Sequence, residues 1–212
     1  MAEYTFYTNP MSRGQIARWA LHEAGADYEQ VLVDWAAKGD LLAVNPMGKV
    51  PTIVHHHAKG LGGHDHVVTE AAAICHYLAE MSAPDLLPRD HEKADYFRWL
   101  FFAAGPLEQA VVAKSMGWDV PPEREGMAGS GNYDRTVDAL DGWLSTHDYV
   151  CGERFTMADV YVGSAVDWGL QFGSIPTRAS FEAYANRFRN REAYQAGKAI
   201  DGQLIAEAQA KG

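Results

Sequence analysis

The chain has 212 residues, 47% of them hydrophobic, which is enough for one or two buried cores and exceeds the usual length of one domain. Its formal net charge of −10 argues against nucleic-acid binding, because phosphate contacts require a basic surface. The N-terminus lacks signal-peptide features, and no uncharged run approaches the ~18 residues that span a bilayer, so we expect a cytoplasmic protein with no membrane contact.

Strand and helix signals alternate in the first part of the chain, and helical signals dominate the remainder. Strands are predicted at Tyr4–Tyr7, Glu29–Val33, Thr52–Val54 and His66–Val68, and an amphipathic helix is predicted from Ser12 to Gly25. This order predicts an α/β domain followed by an all-α domain.

A segment with two prolines, from Met81 to Pro88, breaks the helical pattern and predicts an interdomain linker. We therefore expect an α/β domain at residues 1–82, a linker at 83–90 and a helical domain at 91–212. Cys75 and Cys151 are far apart and outside any metal-like or redox spacing, which predicts two free thiols.

The most informative motif is Asn45-Pro46-Met47-Gly48-Lys49-Val50-Pro51-Thr52. Pro51 stands where a strand begins, a position at which a cis Val50–Pro51 peptide is plausible and would turn the backbone of Val50 toward a ligand. Glu70 begins a helix just after the next predicted strand, and a helix N-terminus favours a bound carboxylate. Together these features predict a binding site for an amino-acid-like molecule.

A second motif, Gly152-Glu153-Arg154-Phe155-Thr156-Met157-Ala158-Asp159, precedes an apolar run. Thr156 and Asp159 have the spacing of a capping box, with Asp in place of the usual Glu or Gln. The apolar run predicts a helix buried on every side, so we interpret this motif as structural.

Both motifs, in this order, resemble those of the soluble, bacterial-type glutathione transferases with a serine-like active site. That family carries N-P-x-G-x-V-P and E-S-x-A-I in its thioredoxin-like domain, and G-x-x-F-T-x-A-D in its helical domain. The resemblance implies a thioredoxin-like N-terminal domain, an all-α C-terminal domain, glutathione as co-substrate, and a homodimer. The implied function is detoxification by conjugation of glutathione to a hydrophobic electrophile.

The resemblance implies that Ser12 donates a hydrogen bond to the glutathione thiolate. A helix N-terminus and one hydroxyl donor can lower a thiol pKa from about 8.5 toward neutrality. Ser12 and Gln15 also spell a capping box, so the hydroxyl could simply cap the helix. Tyr7, Thr8 and Asn9 are the alternative thiolate contacts.

The implied glutathione contacts are Lys49, Val50, Pro51, Glu70 and Ala71. Glu70 would pair with the ammonium group of the γ-glutamyl end, and Lys49 with the glycine carboxylate. Ala71 stands where the family usually has serine, and a lost hydrogen bond to a charged group predicts modest affinity.

The implied electrophile pocket lies between the domains and is lined by Met11, Phe102, Pro106 and Trp168. Pro106 follows Gly105 inside a helical segment and predicts a kink, because proline removes a backbone hydrogen bond.

Five histidines lie between His55 and His66 in a glycine-rich hairpin tip. Neutral imidazoles can bind a metal, but no regular spacing is present, and we expect a solvated loop without metal.

Two other functions remain open at this point. One is a glutathione-dependent isomerase or peroxidase that uses the same site. The other is a catalytically silent glutathione-binding or interaction module, which the serine-to-alanine departure at Ala71 would favour.

Overall fold

The computed structural model describes residues 2–57, 62–118 and 120–211. The chain divides into two compact units, one formed by Met1–Leu87 with Asn190–Gly212 and the other by Pro88–Arg189. The first unit holds the sheet, and the second is helical in its regular elements.

The first unit contains a four-stranded mixed sheet in the order β2-β1-β3-β4. β1 is parallel to β2 and antiparallel to β3, and β4 is antiparallel to β3. This sheet confirms the predicted α/β class of the N-terminal domain. The strands are β1 (Tyr4–Thr8), β2 (Tyr28–Leu32), β3 (Thr52–His55) and β4 (His66–Thr69).

The α-helices of the described residues are α1 (Gly14–Glu23), α2 (Leu41–Val44), α3 (Ala71–Ser82), α4 (Lys93–Phe102), α5 (Glu108–Ser115), α6 (Tyr133–Leu144), α7 (Met157–Phe172), α8 (Ala179–Arg189) and α9 (Glu192–Lys211). Short 3-10 helices occur at Pro84–Leu86 and Pro122–Met127.

The core of the first unit forms where α1 covers the sheet. Ile16, Ala20 and Leu21 are buried on α1, and Phe6 and Ile53 are buried on β1 and β3. Ile16 and Ala20, four positions apart, lie on the same face of α1.

The last helix, α9, also packs on α1. A Cβ atom added at Gly197 would lie 3.6 Å from the backbone of Trp19, so the two helices approach closely. The guanidinium Nε of the fully buried Arg18 donates to Oδ1 of Asp201 at 2.9 Å. Residues 190–212, which are predicted from the sequence to lie in the helical domain, belong to the compact unit that contains the sheet.

The central helix of the second unit, α7, begins with the predicted capping box. The backbone N–H of Thr156 donates to Oδ2 of Asp159 at 2.8 Å, and Oδ1 accepts from Val150 N at 2.9 Å and from Tyr184 OH at 2.8 Å. Burial raises the pKa of the Asp159 carboxyl to about 6. The predicted capping box of Thr156 and Asp159 is therefore confirmed.

The predicted irregularity at Pro106 takes the form of a π-helical turn. Residues Ala103–Leu107 form this turn between α4 and α5. Proline cannot supply the N–H of the regular helical ladder, so the wider turn accommodates it without ending the helix.

Candidate active site

The strand register brings three segments to one end of the sheet. Tyr7 pairs with Thr52, and Thr52 pairs with Thr69. The end of β1, the start of β3 and the end of β4 are therefore neighbours. The turn after β1, the Val50–Pro51 step and Glu70 all meet at this end.

The Val50–Pro51 peptide bond is cis, as predicted. The preceding turn is organised by the buried Asn45, whose Nδ2 donates to the carbonyl oxygen of Lys49 at 3.0 Å and to Oγ1 of Thr52 at 3.1 Å. These bonds do not involve Val50, which is half-buried. The backbone of Val50 is therefore held by a rigid support.

Glu70 has an unusual backbone conformation, with φ 65° and ψ 115°. A residue with a side chain in this region costs about 1–3 kcal/mol, and such strain concentrates at functional sites. Glu70 immediately precedes α3, its side chain is exposed, and its carbonyl oxygen accepts from Ile74 N at 2.9 Å. The carboxylate thus projects from a fixed position at the site.

Ala71 is the first residue of α3 and is 8% exposed. Among the residues that the structure describes, no side chain caps this end of the helix. The first backbone N–H groups of a helix have no partner within it, so those of α3 are available for a ligand even though Ala71 has no hydroxyl.

Ser12 lies in the turn between β1 and α1 and is half-buried. Its Oγ donates to the carbonyl oxygen of Asn9 at 2.6 Å and accepts from Gly14 N at 3.0 Å. Since a hydroxyl hydrogen rotates freely about its C–O bond, the same Oγ can donate to a ligand when the bond to Asn9 is given up.

The capping box predicted for Ser12 and Gln15 is not formed. The Nε2 atom of Gln15 donates instead to the carbonyl oxygen of Pro10 at 2.6 Å. The reason is that α1 begins at Gly14, two residues after Ser12, so Gln15 does not occupy the position that a capping box requires.

The alternative thiolate contacts differ in accessibility. Thr8 is fully buried, and its Oγ1 has no hydrogen-bond partner among the described residues. A Cβ atom at Gly14 would lie 2.1 Å from this Oγ1, so glycine is required there.

Asn9 uses Nδ2 to donate to Val33 O at 3.0 Å and Oδ1 to accept from Met11 N at 2.9 Å. Tyr7 is half-buried on β1.

Two lysines near this site, Lys38 and Lys198, were not predicted from the sequence. The Nζ of Lys38 lies 3.0 Å from the position that a Cβ would occupy on Gly48, in the turn before Val50. The Nζ of Lys198, on α9, donates to Oε1 of Gln15 at 2.9 Å. No local motif marks either residue. Lys198 and Gln15 are 183 positions apart in the chain, and Lys38 and Gly48 lie in segments without regular secondary structure.

The predicted electrophile residues are distributed over both units. Met11 is 69% exposed in the turn after β1. Phe102, Pro106 and Trp168 belong to the second unit and are half-buried, and the Trp168 ring lies 5.5 Å from that of Phe172. The combination of these residues in one pocket stays a prediction.

The histidine-rich hairpin makes contacts within the first unit. His56 contacts Oγ1 of Thr5 through Nε2 at 2.7 Å and Oδ2 of Asp65 through Nδ1 at 3.0 Å. Residues 58–61 of the predicted loop lie outside the described residues. In the part of the chain that is described, no group of three or more His, Cys, Asp or Glu side chains is arranged to hold a metal ion. The absence of a metal stays a prediction.

Comparison with known protein families assigns most of the chain. Residues 2–80 match the family model "Glutathione S-transferase, N-terminal domain", and residues 104–193 match "Glutathione S-transferase, C-terminal domain". Among the described helices, none is long and apolar enough to cross a membrane.

Individual relatives are similar over most of their length. Glutathione S-transferase 1 of Schizosaccharomyces pombe is 30% identical over 186 residues, which covers 79% of this chain and 75% of the relative. Glutathione S-transferase 3 of Zea mays is 28% identical over 174 residues, covering 75% of each chain. A theta class glutathione S-transferase from Xanthomonas axonopodis, solved with glutathione bound, has a TM-score of 0.70 and 28% identity, covering 93% of this chain and 97% of that one. These similarities show that this chain belongs to the glutathione S-transferase family of enzymes.

Proposed function

We propose that this protein conjugates the thiolate of glutathione to a hydrophobic electrophile. The observation that carries the proposal is the meeting of the Ser12 turn, the cis Val50–Pro51 step and Glu70 at one end of the sheet. This arrangement supports a site that holds an extended tripeptide beside one hydroxyl donor.

Glutathione would bind through both of its ends. The backbone of Val50 hydrogen-bonds the cysteinyl part, and the Glu70 carboxylate pairs with the ammonium group of the γ-glutamyl end. The N–H groups at the start of α3, including that of Ala71, receive the adjacent carboxylate. Lys49, which precedes Val50, and Lys38, whose Nζ lies beside Gly48, are cations that can attract the glycine carboxylate.

The reactive nucleophile is the thiol of glutathione. Burial raises the pKa of the Cys75 thiol well above its usual range and that of Cys151 to about 12, which keeps both protein thiols neutral. The thiol of glutathione releases its proton to solvent, and the Ser12 hydroxyl turns from Asn9 toward the bound sulfur and stabilises the thiolate. The thiolate then attacks the electrophilic carbon, a carbon–sulfur bond forms, and the leaving group departs with its electron pair.

The electrophile is a hydrophobic molecule that contacts Met11 together with Phe102, Pro106 and Trp168. An apolar lining with few polar groups is typical of pockets for such ligands. A cytoplasmic homodimer that acts in detoxification completes the proposal, with glutathione as co-substrate and no metal.

One observation favours a second candidate, a glutathione-binding module without turnover. The Ser12 hydroxyl donates its hydrogen bond to the carbonyl oxygen of Asn9, with an O–O distance of 2.6 Å. Activation of the glutathione thiol therefore requires that this hydrogen bond be broken. Retention on immobilised glutathione with no reaction toward an activated aryl chloride would support the module. Turnover of peroxide or of an isomerisable substrate, without conjugation, would support the peroxidase or isomerase.

The decisive experiment is ultraviolet titration of the thiolate of bound glutathione in wild-type protein, Ser12→Ala and Thr8→Val. Ser12→Ala should raise the pKa of the bound thiol toward about 8.5, the value of the free thiol. Thr8→Val removes a buried hydroxyl of the preceding strand, β1, and should leave the pKa unchanged. A pKa that stays constant in Ser12→Ala would transfer the role to Tyr7 or Asn9, and a shift in Thr8→Val would assign it to Thr8.

A further inference from the structure

A threonine, a histidine and an aspartate form a hydrogen-bonded chain on the sheet of the first unit. Oγ1 of Thr5 lies 2.7 Å from Nε2 of His56, and Nδ1 of His56 lies 3.0 Å from Oδ2 of Asp65. Thr5 precedes Thr8, the last residue of β1, by about 10 Å along the strand, and the Ser12 turn follows beyond Thr8. The proposed conjugation assigns no role to this chain of side chains.

The strand register explains why these three residues meet. His55, the last residue of β3, pairs with Tyr4 on β1 and with the first residue of β4. Thr5 and His56 are therefore diagonal neighbours on one face of the sheet, a separation that an imidazole side chain spans. His56 and Asp65 lie opposite each other where the hairpin continues beyond the paired strands.

The carboxylate of Asp65 determines which nitrogen of His56 carries the proton. The backbone N–H of His57 donates to Oδ1 of Asp65 at 3.0 Å, and this bond and that from His56 lower the pKa of the Asp65 carboxyl. An ionised carboxylate only accepts hydrogen bonds, so Nδ1 of His56 donates to it and Nε2 is an acceptor for the Thr5 hydroxyl. A hydroxyl that donates to a neutral imidazole oriented by a carboxylate is an activated nucleophile.

The exposure and charge of the surroundings restrict the substrate. Thr5 is half-buried, and the side chains of His56 and Asp65 are 19% and 46% exposed, so a small molecule can reach the hydroxyl. The exposed Glu29 on β2 pairs with Thr5 on β1. Together with Asp65, it places negative charge on two sides of Thr5. This charge repels anionic substrates and favours neutral ones.

We propose that Thr5 is a catalytic nucleophile that accepts the acyl group of a small neutral ester and releases it to water, without glutathione. His56 is the general base, and Asp65 is a positioning residue that acts through His56. Esters of acidic phenols suit this centre, because their leaving group departs as a stable anion and needs no general acid.

The reaction has two steps, acylation of Thr5 and hydrolysis of the acyl-threonine. Oγ1 of Thr5 forms a bond to the carbonyl carbon while His56 takes the hydroxyl proton, and the phenolate leaves with the electron pair of the broken C–O bond. The imidazolium, stabilised by Asp65, then releases its proton to solvent. In the second step a water molecule attacks the acyl carbon and gives a proton to His56. The bond to Oγ1 breaks, His56 returns the proton to Thr5, and the carboxylic acid departs.

The test is incubation with 4-nitrophenyl butyrate in the absence of glutathione. Release of 4-nitrophenolate measures turnover, and mass spectrometry of the N-terminal peptide locates the butyryl group. Wild-type protein should carry this group on Thr5, and Thr5→Val should lose both the group and the turnover. His56→Gln should lower kcat about a hundredfold or more, the usual contribution of a general base.

Asp65→Asn tests the positioning role. An amide at this position can donate to Nδ1 of His56, which moves the imidazole proton to Nε2 and removes the acceptor that Thr5 requires. The substitution should therefore lower kcat with little change in KM, and Asp65→Glu should restore part of the activity. A lower melting temperature with unchanged kcat in Asp65→Asn would overturn the positioning role.

His64→Gln is the matched control, because it removes an exposed imidazole of the same hairpin, and it should react like wild type. Equal losses in His64→Gln and His56→Gln would overturn the proposal, since any exposed imidazole would then suffice. Absence of the butyryl group from Thr5, or equal turnover in wild type and Thr5→Val, would also overturn it.

Two further measurements check the substrate class and the integrity of the variant. The anionic ester 4-nitrophenyl hemisuccinate should react more slowly than 4-nitrophenyl butyrate, and a faster reaction would overturn the assigned preference for neutral esters. Thr5→Val should keep the melting temperature and the calorimetric affinity for glutathione of the wild type. Because the hydrolysis is measured without glutathione, its outcome does not depend on whether conjugation occurs.

Discussion

The Nζ atom of Lys198 on α9 donates to Oε1 of Gln15 on α1 at 2.9 Å, and Nε2 of Gln15 donates to the carbonyl oxygen of Pro10 at 2.6 Å. The last helix of the chain is thereby connected, through one side chain, to the turn that carries Ser12. The buried ion pair of Arg18 fixes α9 on α1 independently of this contact.

Lys198→Met should reduce the turnover number of conjugation and raise the pKa of the bound thiol. The reason is that Gln15 loses one of its two fixed partners and holds the Ser12 turn less rigidly, while the segments that bind glutathione are unchanged. Steady-state kinetics should show a lower kcat with little change in the KM for glutathione.

Lys198→Arg is the matched control, because arginine can still donate to Gln15. It should retain most of the turnover and the wild-type thiol pKa. A Lys198→Met protein that loses thermal stability but keeps its thiol pKa would show that this contact only stabilises the fold.

Glu70→Gln should weaken glutathione binding about tenfold or more, because the neutral amide no longer pairs with the ammonium group. Stability should change little, since an exposed carboxylate at a helix start contributes only ~0.3–1 kcal/mol. Titration calorimetry and a melting curve measure the two quantities. Glu80→Gln, on the same helix, is the control, and an unchanged affinity in Glu70→Gln would remove Glu70 from the site.

Ala71→Ser should tighten glutathione binding by up to about tenfold. Serine at this position would supply a hydroxyl to the γ-glutamyl carboxylate, a charge-assisted hydrogen bond that alanine lacks. Ala73→Ser places the same hydroxyl on an exposed position of the same helix and should leave the affinity unchanged. Equal effects of both substitutions on calorimetric affinity would contradict this role for residue 71.

The stability of the protein should depend on the ion pair between Arg154 and the buried Glu92. Hydrogen bonding from Arg154 lowers the pKa of the Glu92 carboxyl. A lowered folded-state pKa stabilises the protein above the unfolded value of about 4.3, and this contribution is lost as the pH falls through the folded pKa. Arg154→Met should therefore cost about 1.5–3 kcal/mol at neutral pH, and the cost should shrink in acid.

Arg135→Met is the control for that prediction. Its partner contact with Glu125 is at 3.2 Å, but the Arg135 side chain is 69% exposed, so the loss should lie within about 1 kcal/mol. Urea unfolding of both variants from neutral pH into acid provides the comparison. Equal losses at all pH values in Arg154→Met would show that lost packing, rather than charge pairing, causes the effect.

Features that depend on neighbouring residues were predictable from the sequence. The alternation of strands and helices, the cis Val50–Pro51 step, the helix start after Glu70 and the Thr156–Asp159 capping box each follow from local backbone chemistry. Proline restricts its own backbone and that of the preceding residue, and a capping box requires only a spacing of three. The structure contains all four features.

Contacts between distant or irregular segments were decided only by the tertiary structure. The side chain of Gln15 bonds to Pro10 and Lys198 rather than back to Ser12, and the side chain of Lys38 lies over Gly48. The sequence contains these residues but does not place their side chains, because long polar side chains have many rotamers and packing selects among them. The same reason explains why α9 packs on α1: the pairing of buried Arg18 with Asp201 joins residues 183 positions apart, which no local pattern predicts.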